Sequence, residues 1–366
     1  MNNEAVKELL IYNRVTNYTP KQKRVLLEKF GSAQGIFSER EKAEAIFQKP
    51  FKINGKPLDI RILQEKVERE LGYYKEKGIE IIDFERNLYP QRLKYIYDPP
   101  PVLFAQGKVE LLQSERPVGI VGSRKASNGS INLGYSVSKD LAKADTVVIS
   151  GLASGIDYYA HKGVLDGEGK TIAVLGNGID IVYPKDNTEM YKRIREQGLL
   201  ITEFPLGTPP FKQNFPMRNR IISGLSLGVV VVEASNSSGA LITAMYALEQ
   251  GREVMAFPGR ALSENFGGNN RLIKEGAHLV ENASDILSIL GIEFEDKRTT
   301  RAVSFTALEQ EILSIIGDDM VSIEEIERVL STPVSKIASA LMMLELKCAV
   351  VQYPGKIFSR VQEYAK

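Results

Sequence analysis

Between Val118 and Lys125 the chain reads Val-Gly-Ile-Val-Gly-Ser-Arg-Lys, a short apolar run that ends in a glycine, a hydroxyl and two cations. The run has the texture of a buried strand, and a helical pattern begins near Ser130, so the segment is a strand-to-helix turn. Gly122 lets the backbone approach an anion closely, and Ser123 adds a donor. The helix start offers unpaired N–H groups and the positive end of a dipole. Arg124 and Lys125 bring full charges to the same place. The chemistry these residues suit is phosphate binding. Neither G-x-G-x-x-G nor G-x-x-x-x-G-K-[ST] occurs here, which argues against a dinucleotide fingerprint or an ATP-hydrolysing loop.

The same residue types recur further along. Ser150-Gly151-Leu152-Ala153-Ser154-Gly155-Ile156-Asp157 follows one apolar run, and Gly176-Asn177-Gly178 follows the next, leading to Lys185 and Asn187. Arg218, Asn219 and Arg220 follow Phe215-Pro216. Ser237-Ser238-Gly239 follows Glu233. Together Gly122, Ser123, Arg124, Gly151, Lys185, Asn187, Arg218, Asn219, Arg220, Ser238 and Gly239 form a candidate set of anion-binding residues. The alternate spacing of Arg218 and Arg220 fits either backbone contacts or a structural salt bridge to Glu203 or Glu233. A row of anion pockets suits an extended, single-stranded nucleic-acid backbone better than one mononucleotide.

Catalysis finds little support. The chain holds two histidines and one cysteine, too few for a zinc site, and no nucleophile stands beside His161 in the sequence. His161 is expected to pack within its helix, and Asp157 to hold a turn. No catalytic residue, metal or cofactor is expected.

These residues need a scaffold. Apolar runs at Val118–Val121, Val147–Ile149, Ile172–Leu175, Leu199–Ile201, Val229–Val232, Val254–Phe257 and His278–Val280 are mostly separated by helical patterns. Continuous apolar strands mean that both sheet faces are covered, as in a parallel, helix-flanked sheet. The expected fold class is therefore α/β, a Rossmann-like doubly wound and mostly parallel sheet. Such sheets bind ligands at the carboxyl ends of their strands, and every candidate above follows a strand. Before the sheet, residues 1–75 read as helices, a helix-hairpin-helix or SAM-like unit whose turn at Asn17-Tyr18-Thr19-Pro20 has no glycine. The third of these helices is expected to close at Gly72. Residues 76–292 carry the sheet, 293–303 read as a charged linker, and 304–366 give three helices and a β-hairpin, a winged-helix pattern. The third helix of that unit is not strongly basic.

Bulk properties agree with this plan. The chain has 366 residues, 43% hydrophobic and 25% charged, with Lys+Arg 47 against Asp+Glu 46 and a net charge of +1. Any anion site must then come from local clustering rather than overall basicity. One cysteine excludes an intramolecular disulfide framework, and Cys348, in an apolar helical run, reads as packing. No apolar stretch approaches the ~20 residues that span a bilayer, and the polar N-terminus shows no secretion signal. A cytoplasmic protein without a membrane partner is expected.

With these residues in view, the chain resembles the bacterial DNA-processing protein A (DprA/Smf) family over nearly its whole length. The resemblance is carried by Gly122-Ser123-Arg124, Ser150-Gly151-Leu152-Ala153 with Gly155-Ile156-Asp157, Ala160-His161, Ala173-Val174-Leu175-Gly176, Tyr183-Pro184, Phe215-Pro216 with Arg218-Asn219-Arg220, Leu241-Ile242-Thr243-Ala244 and Pro258-Gly259. It implies an extended Rossmann domain that binds single-stranded DNA, forms a homodimer, and loads RecA onto incoming strands in natural transformation. It also implies that Arg124 and Lys185 are the principal DNA-contacting cations, and that the dimer surface lies around Leu272, Ile273, His278 and Leu279. The sequence departs from the family at three places. Ser154 stands where many members carry arginine, and the N-terminal hairpin lacks a Gly-Ile-Gly turn. Thr188 stands where some members offer a stacking aromatic, with Tyr183 and Tyr191 the nearest rings. Two rival readings differ in class. One is a nucleotide-binding or nucleotide-hydrolysing enzyme or sensor similar to the lysine-decarboxylase-like (LOG) proteins, using Glu233 and the Ser238-Gly239 turn. The other is a duplex-binding regulator acting through the winged helix.

Overall fold

The computed structural model describes residues 3–84, 88–293, 305–316, 321–330, 332–347, 349–353 and 355–360. The linker expected at 293–303, beyond Glu293, and the packing expected of Cys348 lie outside the described residues. Two units separate, 1–295 and 296–366.

The chain opens with α1 (Asn3–Asn13), α2 (Pro20–Phe30), α3 (Ala33–Ser38) and α4 (Arg40–Phe47). Pro20 sits at the first turn of α2, and Thr19 and Gln22 form a reciprocal capping box, each side chain bonding the other's backbone N–H. Gly31 at φ +75° ends the helix. A minimal hairpin, β1 (Lys52–Ile53) and β2 (Lys56–Pro57), precedes α5 (Ile60–Glu76). That helix runs through Gly72, where it was expected to close. Glycine tolerates the helical conformation at modest cost, and the chain turns instead at Gly78, φ +61°. These helices share one apolar core with the sheet that follows: Leu10, Tyr12 and Leu26 belong to the same cluster as Phe104, Ile120 and Val230. Tyr74 stacks on Phe104 with ring centroids 5.1 Å apart.

The sheet has nine strands: β3 (Ile79–Asp83), β4 (Val102–Gly107), β5 (Pro117–Val121), β6 (Val147–Ser150), β7 (Lys170–Val174), β8 (Leu199–Thr202), β9 (Gly228–Val231), β10 (Glu253–Ala256) and β11 (His278–Leu279). Their order is β11-β10-β9-β5-β6-β7-β8-β4-β3. Strands β5 to β11 pair in parallel, whereas β4 is antiparallel to β8 and β3 to β4. All seven expected runs are strands.

The short α6 (Gln91–Lys94) lies between β3 and β4, and α7 (Asn128–Lys143), α8 (Ile156–Asp166), α9 (Thr188–Gln197), α10 (Asn214–Leu225), α11 (Ala240–Glu249), α12 (Gly267–Lys274) and α13 (Ala283–Ile289) follow. Val118, Ile120, Val148 and Ala173 face one apolar layer with α7 and α8. Val121, Ile149, Ile172 and Val231 face the other with α10 and α11. Burial on both faces is why the strands read as unbroken apolar runs. The chain winds outward from β5 to β8 and then returns to place β9 on the other side of β5. That reversal is the switch point above which α/β sheets hold ligands.

The second unit contains α14 (Ala307–Ile316), β12 (Val321–Ser322), α15 (Ile323–Leu330), α16 (Val334–Leu346), β13 (Val350–Tyr353) and β14 (Ile357–Arg360). Its sheet order is β12-β14-β13. Ile312, Ile326, Ile337, Leu341, Leu344 and Phe358 build its own core. This is a winged helix. Lys347, just after α16, is paired with Glu309 at 2.7 Å. Among the described residues no helix is long and apolar enough to cross a membrane.

Candidate nucleic-acid interface

The carboxyl ends of β5 and β9 open into a cavity of about 720 Å³. Gly122, Ser123, Arg124 and Lys125 form one wall, and Phe215, Arg218 and Asn219 from the start of α10 form another. Ser235, Ser238 and Gly239, after β9, close a third. The residues expected to act together from five separated segments thus partly converge.

The turn after β5 is fixed by its neighbours. Ser123 donates its backbone N–H to the Glu233 carbonyl at 2.7 Å, and Ile156 N–H donates to the Ser123 carbonyl at 3.2 Å. That second contact requires Gly155, at φ +78°, where a Cβ would lie 2.3 Å from the Ser123 oxygen. Ser127 donates from its backbone N–H (3.1 Å) and hydroxyl (2.6 Å) to the Glu233 carboxylate. The Ser127 hydroxyl also accepts from Ser130 N–H, capping α7. The anion favoured by the positive end of α7 is therefore supplied by the protein itself. The sequence predicts a ligand phosphate at this helix start, and the structure places a carboxylate of the protein beside it. Glu233, the carboxylate on which the nucleotide-hydrolase reading rests, also lines the cavity.

Arg124 and Lys125 are exposed. The Arg124 guanidinium lies over the Phe215 ring, 5.2 Å from its centroid, and Phe215 in turn packs against Tyr183 at 5.5 Å. A planar cation and two rings therefore line one side of the cavity. Lys212 adds a further charge there. The sequence did not single out Lys212 or the role of Phe215. Both lie on or after the long connection from β8 to α10, where no strand end marks their position. Asp157 is buried, accepts from Gly151 N–H at 3.1 Å, and has its carboxyl pushed up by burial against the opposing pull of Arg218.

The remaining expected contact residues fall in different surroundings. Arg218 lines the cavity but is only 3% exposed. One of its terminal nitrogens donates to the carbonyls of Gly151 and Val174. Burial lowers its pKa to about 10, the Asp157 charge opposing this and Arg124 adding to it. Arg218 is a charged floor tying β6 to β7, and it remains protonated near neutral pH. Arg220 does not line the cavity. It is buried and holds Glu203 with two bonds of 2.8 and 2.7 Å, the structural alternative among its expected roles. Gly151 is buried, and its close approach is to Arg218, whose terminal nitrogens lie 2.4 Å from where a Cβ would stand. Asn187 is also buried and donates to the Leu152 carbonyl at 2.9 Å. Lys185, on a short 3-10 turn after Pro184, is exposed but lies outside the cavity lining. Tyr191 is buried against the Ile179 carbonyl, leaving Tyr183, 40% exposed, as the accessible ring.

On the far edge of the sheet, His278 and Leu279 are exposed and Ile273 is half-buried. Leu272 is a correction, since its side chain fills this chain's own core. His161 is fully buried on α8, with Nδ1 2.7 Å from the Thr171 hydroxyl, and burial, aided by the Arg218 charge, lowers its pKa to about 3. Among the described residues no cluster of three or more His, Cys, Asp or Glu could hold a metal.

Fold and cavity define an extended Rossmann protein, carrying a winged-helix unit, whose switch-point crevice is lined by Arg124, Lys125 and Lys212. Residues 80–291 match the family model described as DNA recombination-mediator protein A, and residues 296–356 match the DprA winged helix domain. The chain belongs to the DNA processing protein A (DprA/Smf) family. It is 43% identical to the DNA processing protein DprA of Bacillus subtilis, over 63% of this chain and 78% of that protein. It is 37% identical to Protein Smf of Escherichia coli over 80% of each. Among solved structures, DprA from Streptococcus pneumoniae superposes with a TM-score of 0.62 at 32% identity, covering 81% of this chain and 99% of that one. DNA processing protein A from Helicobacter pylori, whose structural study concerns its single-stranded DNA binding mode, gives a TM-score of 0.54 at 28% identity. That match covers 59% of this chain and 97% of the other.

Proposed function

We propose that this protein binds single-stranded DNA without catalysing a reaction on it, and passes the strand to RecA as a homodimer during recombination and natural transformation. The observation that carries the reading is the placement of Arg124. Its guanidinium is exposed, held over Phe215 at the mouth of the switch-point cavity, and flanked by Lys125 and Lys212. Phosphates lie against Gly122, Ser123 and these cations, with Asn219, Ser238 and Gly239 as neutral donors. Lys185 extends the positive rim beyond the cavity. The single-strand reading is supported by the Helicobacter pylori relative, and RecA transfer and dimerisation by family membership.

The test is a titration with single- and double-stranded oligonucleotides at two salt concentrations. Affinity for the single strand should fall steeply with salt. Arg124→Ala should weaken binding to every sequence alike, because phosphate contacts carry no base information. An unchanged affinity and salt slope in that variant would refute the placement.

A further inference from the structure

Beyond β8 the same rim carries a feature that packing does not explain. Tyr95 and Tyr97, on the loop after α6, are 80% and 76% exposed. The loop itself is firmly seated. Leu93 and Ile96 are buried in the core beneath α10, and Asp98 accepts from the Lys21 backbone N–H at the start of α2. Asp98 also lies 3.7 Å from Arg220, the residue that grips Glu203 just after β8. A rigid loop thus holds two rings in water, where exposed aromatic area is unfavourable unless a partner covers it.

One of the two rings carries a cation. The Lys21 ammonium sits 3.7 Å from the Tyr97 ring centroid. Lys94, next to Tyr95 in the chain, lies over Phe84 at 4.7 Å, as does Arg24 at 5.2 Å, the latter ion-paired with Glu28. The position follows from sheet order: β5, β6, β7 and β8 are neighbours, and Asp98 meets Arg220 beside the end of β8. At a strand spacing of about 4.8 Å, roughly 14 Å separates β5 from β8, a few nucleotides of extended chain. Aromatic faces interleaved with lysines are the pattern that stacks bases and neutralises phosphates in single-strand grooves.

We propose that Tyr95 and Tyr97, with Lys21, form a second contact surface for single-stranded nucleic acid, a stacking platform for the strand as it leaves the cavity across the β8 end of the sheet. This surface rests on the reading of the cavity as a single-strand site. The two rings take bases and Lys21 takes a phosphate, so the surface acts only on strands long enough to reach it.

The experiment compares wild type, Tyr95→Ala/Tyr97→Ala and Tyr95→Phe/Tyr97→Phe for binding to oligothymidylates of about six and about twenty nucleotides. The double alanine variant should bind the six-mer as wild type does and the twenty-mer about tenfold more weakly. The phenylalanine variant should restore the twenty-mer affinity. Lys21→Ala should lower the salt slope for the twenty-mer by about one. A double alanine variant that holds the twenty-mer as tightly as wild type overturns the surface alone. An equal loss on both lengths also overturns it, because the rings would then be acting at or through the cavity. If wild type binds neither oligonucleotide, this surface and the cavity reading fail together.

Discussion

Phe215 is expected to act on DNA through Arg124 rather than by touching phosphate, and the two effects can be separated. Arg124→Ala removes a charged donor from the cavity mouth. A hydrogen bond to a charged group is worth about 1.5–3 kcal/mol, so affinity should fall roughly 10- to 150-fold. The salt slope should fall by about one phosphate. Phe215→Ala leaves every charge in place but removes the ring that lies 5.2 Å beneath the guanidinium. An exposed cation–π contact contributes about 0.5–1 kcal/mol. The expected loss is therefore only a few-fold, with the salt slope unchanged. In the Arg124→Ala background the same Phe215→Ala change should cost almost nothing, because the guanidinium it positions is already gone. Fluorescence anisotropy with labelled oligothymidylate at several salt concentrations, on all four proteins of the cycle, measures the coupling. A coupling below about 0.3 kcal/mol, the usual scatter for independent sites, would refute the positioning role. So would a fall in salt slope on Phe215→Ala alone.

Arg220→Ala should destabilise the fold by about 3–5 kcal/mol, since it leaves the Glu203 carboxylate without its partner. Chemical denaturation would show this, and a loss below about 1 kcal/mol would mean the pair contributes little. His161 makes stability depend on pH. Its folded-state pKa of about 3 lies below the ordinary 6.5, so protonation favours the unfolded chain. Its contribution is complete above about pH 6.5 and is lost as pH falls toward 3, about 2 kcal/mol of it by pH 5. Urea midpoints at pH 7.5 and 5 should show a smaller difference in His161→Gln than in wild type; equal differences would exclude the histidine as the cause. Leu279→Arg, on the half-exposed edge strand β11, should give monomers in sedimentation, and an unaltered dimer would reject that edge as the interface.

The sequence alone determined that the sheet is mostly parallel and covered on both faces, and which polar residues follow its strands. Unbroken apolar runs require two covered faces, and two covered faces require helical crossovers. Glycines, hydroxyls and cations placed after successive strands then share the carboxyl rim. What the sequence could not decide was which of those polar residues the protein uses for itself. Arg218 and Arg220 sit in one short stretch, yet one floors the cavity and the other is locked onto Glu203. Helical rotation sends neighbours two positions apart to nearly opposite sides, and the partners that satisfy them come from distant segments. The same holds for Glu233, whose carboxylate holds Ser127, the cap of α7, across more than a hundred residues of chain. Phe215 was legible as part of a motif but not as the support beneath Arg124. Tyr95 and Tyr97 gave no signal that they would remain in water. Burial, pairing and exposure are settled by long-range packing, and only the tertiary structure assigns them.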